Sequence, residues 1–90
     1  MTIRFFADLR SLTGQRELAW NGSADTVSAL LKALAARFGT AFERRVIPGG
    51  QKSETIIVLV NGRDVRDLSG ADTPVGPNDV VSIFPMVAGG

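Results

Sequence analysis

Only one stretch of this chain carries a long helical period. Val27, Leu30, Leu31, Leu34 and Phe38 recur at three- and four-residue spacing, one apolar stripe of an amphipathic helix. Thr26 stands where an N-cap hydroxyl accepts an early backbone N–H, and Gly39 stands where a helix ends. A helix with a single apolar stripe has to bury it against something. Everything on either side of it reads as strand, turn or loop, so the partner is a sheet.

The segments before the helix predict a hairpin with a long loop. Ile3 to Ala7 is a short apolar run interrupted by Arg4, with Ile3 and Phe5 on one face and Phe6 on the other. Ser11 to Gly14 supplies loop and turn residues, and Arg16 to Trp20 alternates polar and apolar up to the turn at Asn21-Gly22. Beyond Gly39, Thr40 to Val46 reads as a single helical turn. Ile47 to Ser53 is a loop by composition. Ile56 to Val60 is a β-branched-rich run that predicts a strand buried on both faces or nearly so. Asn61-Gly62 then signals a hairpin into Arg63-Asp64-Val65. Asp67 to Asn78 is turn-rich, and a last strand runs from Asp79 to Pro85.

The order is therefore β-β-α-β-β. One main helix packs on one face of a mixed four- to five-stranded sheet, an α+β domain spanning residues 1–85. The long connection through the helix lets the first and last strands lie side by side and parallel at the sheet centre. That is the β-grasp, or ubiquitin-like, arrangement. Alternation along both central strands places Phe6 and Phe84 on the face away from Ile3, Phe5, Val81 and Ile83.

Composition removes most chemistry. The chain has no cysteine and no histidine, which excludes disulfides, thiolate metal sites and most nucleophile–base pairs. Its two lysines, Lys32 and Lys52, are the only residues left to act as a base for Ser or Thr, and Lys32 sits on the polar side of the helix. Gly49-Gly50-Gln51-Lys52-Ser53 lacks the spacing of a phosphate loop and lies between a helix and a strand, the wrong order for one. Asp64, Asp67 and Asp72 read as turn formers, and Asn21-Gly22-Ser23 as a turn. No bound cofactor or metal is expected. A net charge of +1 with both signs interspersed points to neither nucleic acid nor an anionic membrane as partner. The opening residues break too early for a signal peptide, and no apolar run approaches a membrane span. A cytoplasmic protein is expected.

What remains is the end, Met86-Val87-Ala88-Gly89-Gly90, read as a flexible tail leaving a central strand. With Gly at roughly 7% of average composition, a terminal Gly-Gly arises by chance about once in 200 chains. Five extended residues reach about 16 Å, enough to thread a partner's pocket. An α-carboxylate is ionised at neutral pH, with a pKa of about 3.5, and can attack the α-phosphate of ATP held by another enzyme. Glycine leaves its carbonyl unhindered.

The ending Phe84-Pro85-Met86-Val87-Ala88-Gly89-Gly90 resembles that of the small sulfur-carrier subunit of molybdopterin synthase. Ile3-Arg4-Phe5-Phe6-Ala7-Asp8-Leu9-Arg10-Ser11-Leu12-Thr13-Gly14, Thr26-Val27 and Val60-Asn61-Gly62 resemble the same ubiquitin-like sulfur-carrier family. The resemblance implies a carrier in molybdenum (or tungsten) cofactor synthesis that is no autonomous enzyme. Its terminal Gly90, next to Gly89, would be adenylated by an E1-like enzyme using ATP, converted to a thiocarboxylate, and presented to the molybdopterin synthase large subunit or an analogous acceptor. It also implies that Phe6, Phe84, Pro85, Met86, Val87 and Ala88 contact partners. The alternatives are a ubiquitin-like modifier conjugated to lysines, a sulfur carrier for cysteine or thiamine synthesis, and an interaction module with an inert tail.

Overall fold

A parallel pair holds the middle of the sheet. In the computed structural model, which describes residues 1–86, strands β1 (Thr2–Phe5) and β5 (Val80–Pro85) run side by side with Ile3 opposite Val81 and Phe5 opposite Ile83. β2 (Glu17–Ala19) pairs antiparallel with β1, β3 (Ile56–Val60) with β5, and β4 (Arg63–Asp64) with β3. The resulting order is β2-β1-β5-β3-β4, the β-grasp topology expected from the element order.

The helices α1 (Asp8–Thr13), α2 (Val27–Phe38) and α3 (Thr40–Val46) share the core with one face of this sheet. Ile3, Phe5, Val58, Val81 and Ile83 on the sheet meet Leu30, Leu31 and Leu34 of α2 and Phe42 of α3, all essentially without solvent access. Each such side chain contributes about 1.5–3 kcal/mol of burial. The Phe5 ring meets Phe38 and Phe42 edge-on, with centroids 5.7 and 6.2 Å away. Thr26 caps α2 as expected, its hydroxyl accepting the Ala29 N–H at 3.2 Å.

Three expectations need correction. The loop read over Ser11 to Gly14 is the second half of α1, which buries Leu9 and Thr13 and ends at left-handed Gly14. The turn composition of Ser11, Thr13 and Gly14 hid a pair of buried residues at i and i+4. Thr40 to Val46 is a seven-residue helix, again with its buried residues, Phe42 and Val46, at i and i+4. β3 is not buried on both faces: Ile56, Val58 and Val60 enter the core, while Ile57 and Leu59 are only half-buried on the other side. All three helices cover the same face, so alternate residues of this β-branched run face away from the core.

The β3–β4 connection is the expected Asn-Gly turn, with positive φ at Asn61 (52°) and Gly62 (84°). Asn61 also clamps the start of β5. Its N–H donates to the Val80 carbonyl at 2.8 Å, and its side-chain oxygen accepts the Val80 N–H at 2.9 Å.

Gly39 joins α2 to α3 at φ 96°, ψ −171°, a conformation reached essentially only by glycine, and a Cβ there would meet nothing within 4 Å. Gly39→Ala should therefore destabilise through the backbone alone, by about 1–3 kcal/mol in urea unfolding. A chemically synthesised chain with D-alanine at this position should recover the loss, because its mirror-image preference accepts that φ.

Candidate functional site

The open face of the sheet carries its aromatic pair at the end where β5 finishes. The Phe6 N–H donates to the Ile83 carbonyl at 3.2 Å and carries the β1 ladder one residue past the strand. Ala7 then turns the chain at φ 54°, ψ −132° into α1, a strained position for a residue with a Cβ. The turn leaves Phe6 on the open face beside Phe84, with ring centroids 5.8 Å apart and planes at 78°. Such an edge-to-face pair places the positive rim of one ring on the negative face of the other.

Three further residues complete the patch, and sequence reading did not single them out. Ile57 stands directly opposite Phe84 in the β3–β5 register, and Leu59 opposite Ser82. Arg10 reaches back from α1: its Nε donates to the Phe5 carbonyl at 3.1 Å, and its guanidinium lies 5.5 Å from the Phe6 ring centroid. The signal for Ile57 and Leu59 was present as strict alternation within β3. A continuous apolar run conceals that alternation until it is known that one face lacks cover.

Charges frame the patch. Arg4 lies opposite both Glu17 and Ser82, and Asp64 lies opposite Leu59. Asp64 accepts a 2.7 Å bond from the Arg66 Nη2 and a 2.9 Å bond from the Arg66 N–H. Hydrogen bonds from the Arg66 side chain, then from its backbone, hold the Asp64 carboxyl below its ordinary value. Being on the surface, the pair adds little stability.

Pro85 lies opposite Ile56 at the end of the β3–β5 ladder. Met86 follows, 44% exposed, the large apolar side chain most open to solvent among the described residues. Its N–H donates to the Thr55 carbonyl at 2.7 Å. Around this exit stand Arg45, whose Nε donates to Asp8 Oδ2 at 3.0 Å, and the hydroxyl pair Ser53–Thr55 at 2.8 Å. Of the sequence-derived site residues, Phe6, Phe84, Pro85 and Met86 thus meet at one end of the sheet. Val87, Ala88, Gly89 and Gly90 lie outside the described residues.

Among the described residues, no cluster of three or more His, Cys, Asp or Glu could hold a metal ion, and no helix is long and apolar enough to cross a membrane. The described residues present an apolar patch beside an exiting chain, and among them no acid–base or nucleophilic centre is assembled.

The sequence profile of the ThiS family matches residues 3–90. The chain is 38% identical to small archaeal modifier protein 3 of Haloferax volcanii over 91 residues, which is 100% of this chain and 98% of that one. It is 33% identical to the sulfur carrier protein CysO of Mycobacterium tuberculosis over 92 residues, 100% of this chain and 98% of the relative. Its fold also matches a chain in the crystal structure of the Amycolatopsis orientalis BexX/CysO complex, with a TM-score of 0.82 and 28% identity over 99% of this chain and 98% of that one. The chain belongs to the ThiS family, among ubiquitin-like proteins of the sulfur-carrier and small-modifier kind.

The Phe6–Phe84 pair can be weighed by a double-mutant cycle in urea unfolding. Phe6→Ala and Phe84→Ala should be coupled by about 0.5–1.5 kcal/mol. Each single change should cost less than Phe5→Ala, for which about 3–5 kcal/mol is expected from its closed core site.

Proposed function

We propose that this ThiS-family protein is a sulfur carrier whose reactive group is the α-carboxylate of Gly90. The observation that carries the reading is that the family match runs through Gly90, so Gly89-Gly90 lies inside the matched region. The apolar patch of Phe6, Phe84 and Ile57, next to the exit at Met86, supports a role in which a partner grips the domain and receives the tail.

The chemistry is completed by partners. A carboxylate oxygen of Gly90 attacks the α-phosphate of ATP on an E1-like enzyme, and pyrophosphate leaves. Hydrosulfide then attacks the acyl adenylate carbonyl and expels AMP, leaving a thiocarboxylate; with a persulfide donor the acyl disulfide first formed is cleaved by a thiol, which leaves in a disulfide with the donor sulfur. Glycine suits this centre because nothing on Cα blocks either attack. The thiocarboxylate passes its sulfur to the acceptor, and water restores the carboxylate.

The ending from Phe84 to Gly90 favours a molybdopterin (or tungsten-pterin) precursor as acceptor, bound by a synthase large subunit. A second reading has a specific observation behind it. The 38% identity to a small archaeal modifier protein supports attack on the same acyl adenylate by a lysine amine of a target protein. The similarity to CysO supports a sulfur carrier with a different acceptor.

Intact-mass measurement after incubation with an E1-like partner, ATP and a sulfur donor separates these. Replacement of one oxygen by sulfur at Gly90 is the expected product, and transfer to the pterin precursor requires the large subunit. Lysine-linked conjugates that survive denaturation would instead establish the modifier reading. Neither product would sink both. One residue appended after Gly90 should abolish the mass change without moving the unfolding midpoint. If sulfur transfer survives that extension, the terminal carboxylate is not the reactive group.

The docking patch is tested apart from the tail. Phe84→Asp should weaken binding of the E1-like partner by about 30-fold or more, the loss of roughly 2 kcal/mol typical of a central apolar anchor. The far-ultraviolet circular dichroism of the variant should match that of the parent.

A further inference from the structure

Among the described residues, Arg10 is the one arginine that a hydrogen bond holds in place without a carboxylate to answer its charge. Arg45 bonds Asp8, and Arg66 bonds Asp64. Arg10 is tied to the backbone instead, its Nε donating to the Phe5 carbonyl at 3.1 Å while its guanidinium lies 5.5 Å from the Phe6 ring centroid. The acid two residues away, Asp8, gives its Oδ2 to Arg45.

The mount of this side chain is rigid. Arg10 follows Leu9, which is fully buried, and Thr13 buries the next turn of α1. Phe5 directs its N–H towards β2, onto the Arg16 carbonyl at 2.9 Å. Its carbonyl points the same way, so the bonded Arg10 lies on the β2 flank of β1. Phe84 lies on the opposite flank, with Ile57 across from it. A cation therefore ends a row of half-buried apolar side chains, Phe6, Phe84 and Ile57, that crosses the open face.

A guanidinium carries five N–H groups. The Nε–H is spent on Phe5, and the four on Nη1 and Nη2 meet no acceptor among the described residues. Their shared edge is the one that a carboxylate takes end-on. Stacking on Phe6 holds that edge in one plane, so little side-chain freedom is left to lose on binding.

We propose that Arg10 is a recognition residue for the partner that covers this patch. It receives, in two parallel hydrogen bonds, an Asp or Glu carboxylate that the partner carries beside an apolar pocket for Phe6 and Phe84. The proposal rests on the docking role given to the patch and adds what the partner has to present. Covering the apolar row also takes the guanidinium out of water, and an unanswered buried charge is costly. A partner that fits the rings must therefore answer the cation as well. A phosphate or nucleotide fits less well, because such anions take several converging donors. Arg45, the cation at the exit, spends its Nε on Asp8 and its Nη1 on Thr55.

The test is calorimetric binding of the E1-like partner to the full chain without ATP, so that chemistry at Gly90 plays no part. Arg10→Gln should weaken binding about tenfold, roughly 1.4 kcal/mol, and should flatten its salt dependence. Arg10→Lys should stay about fivefold weaker than the parent, because an ammonium offers no fork. Nuclear Overhauser contacts between the Phe6 and Phe84 rings should survive in Arg10→Gln. Phenylglyoxal, which adds to accessible guanidinium groups, should modify Arg10 in the isolated chain and spare it in the complex, as read by peptide mass mapping. The proposal is overturned if Arg10→Gln binds as the parent does or if Arg10→Lys restores full affinity. Loss of the Phe6–Phe84 contacts overturns it too, since Arg10 would then only hold the ring. So does modification of Arg10 in the complex, or its protection by ATP alone. Weak binding of Phe84→Asp beside unchanged binding of Arg10→Gln would leave the docking role standing and remove this proposal. No binding by the parent would remove both.

Discussion

The parallel contact between β1 and β5 joins two segments almost the whole chain apart, and the rest of the molecule is arranged around it. Parallel neighbours require a long connection, and the intervening residues supply it as helices packed over one face. Placing Phe5 opposite Ile83 sends both into the core. The same register sends the next residue of each strand, Phe6 and Phe84, to the other face, where their rings meet. One register therefore sets both the hydrophobic core and the docking patch. A slip by one residue would exchange them.

That contact also fixes where the chain leaves the sheet. β5 is central, held by β1 on one side and β3 on the other, and Asn61 clamps its start through Val80. The Met86 N–H is bonded to Thr55, so the backbone is still anchored one residue past the strand. Whatever follows departs from a defined point, beside a defined apolar surface. On the proposed function, this placement is what the domain contributes: it would bring the Gly90 carboxyl group to a site built by another protein, held by the surface that the partner grips.

Much of this was legible from the residues. The stripe from Val27 to Phe38, the Asn61-Gly62 turn and the alternation around Phe5-Phe6 and Ile83-Phe84 each have a local physical cause, and each is found as read. α1 and α3 were less visible because a helix of six or seven residues carries only one buried pair, Leu9 with Thr13 and Phe42 with Val46. Ile57 and Leu59 escaped for a different reason. Five consecutive apolar residues look alike whether both faces are covered or one. Only the position of the helices, a tertiary fact, decides between them.

A sheet covered on one side only has to do something with its other face. In a ninety-residue chain the helices suffice for one layer, so the second face meets water by default. Solvation alone would be served by polar side chains along alternate positions, as Thr2, Arg4, Glu17 and Ser82 do. Phe6, Phe84 and Ile57 break that pattern with large side chains near the end of the sheet where Met86 exits, and Leu59 continues the patch opposite Ser82. Their pairing with each other and the cover from Arg10 reduce the exposed area without removing it. A core requirement does not explain them, because the core lies on the other side and is already closed. A partner that buries the patch explains both their identity and their position: the residues that cost most in water sit where a bound protein would receive the tail.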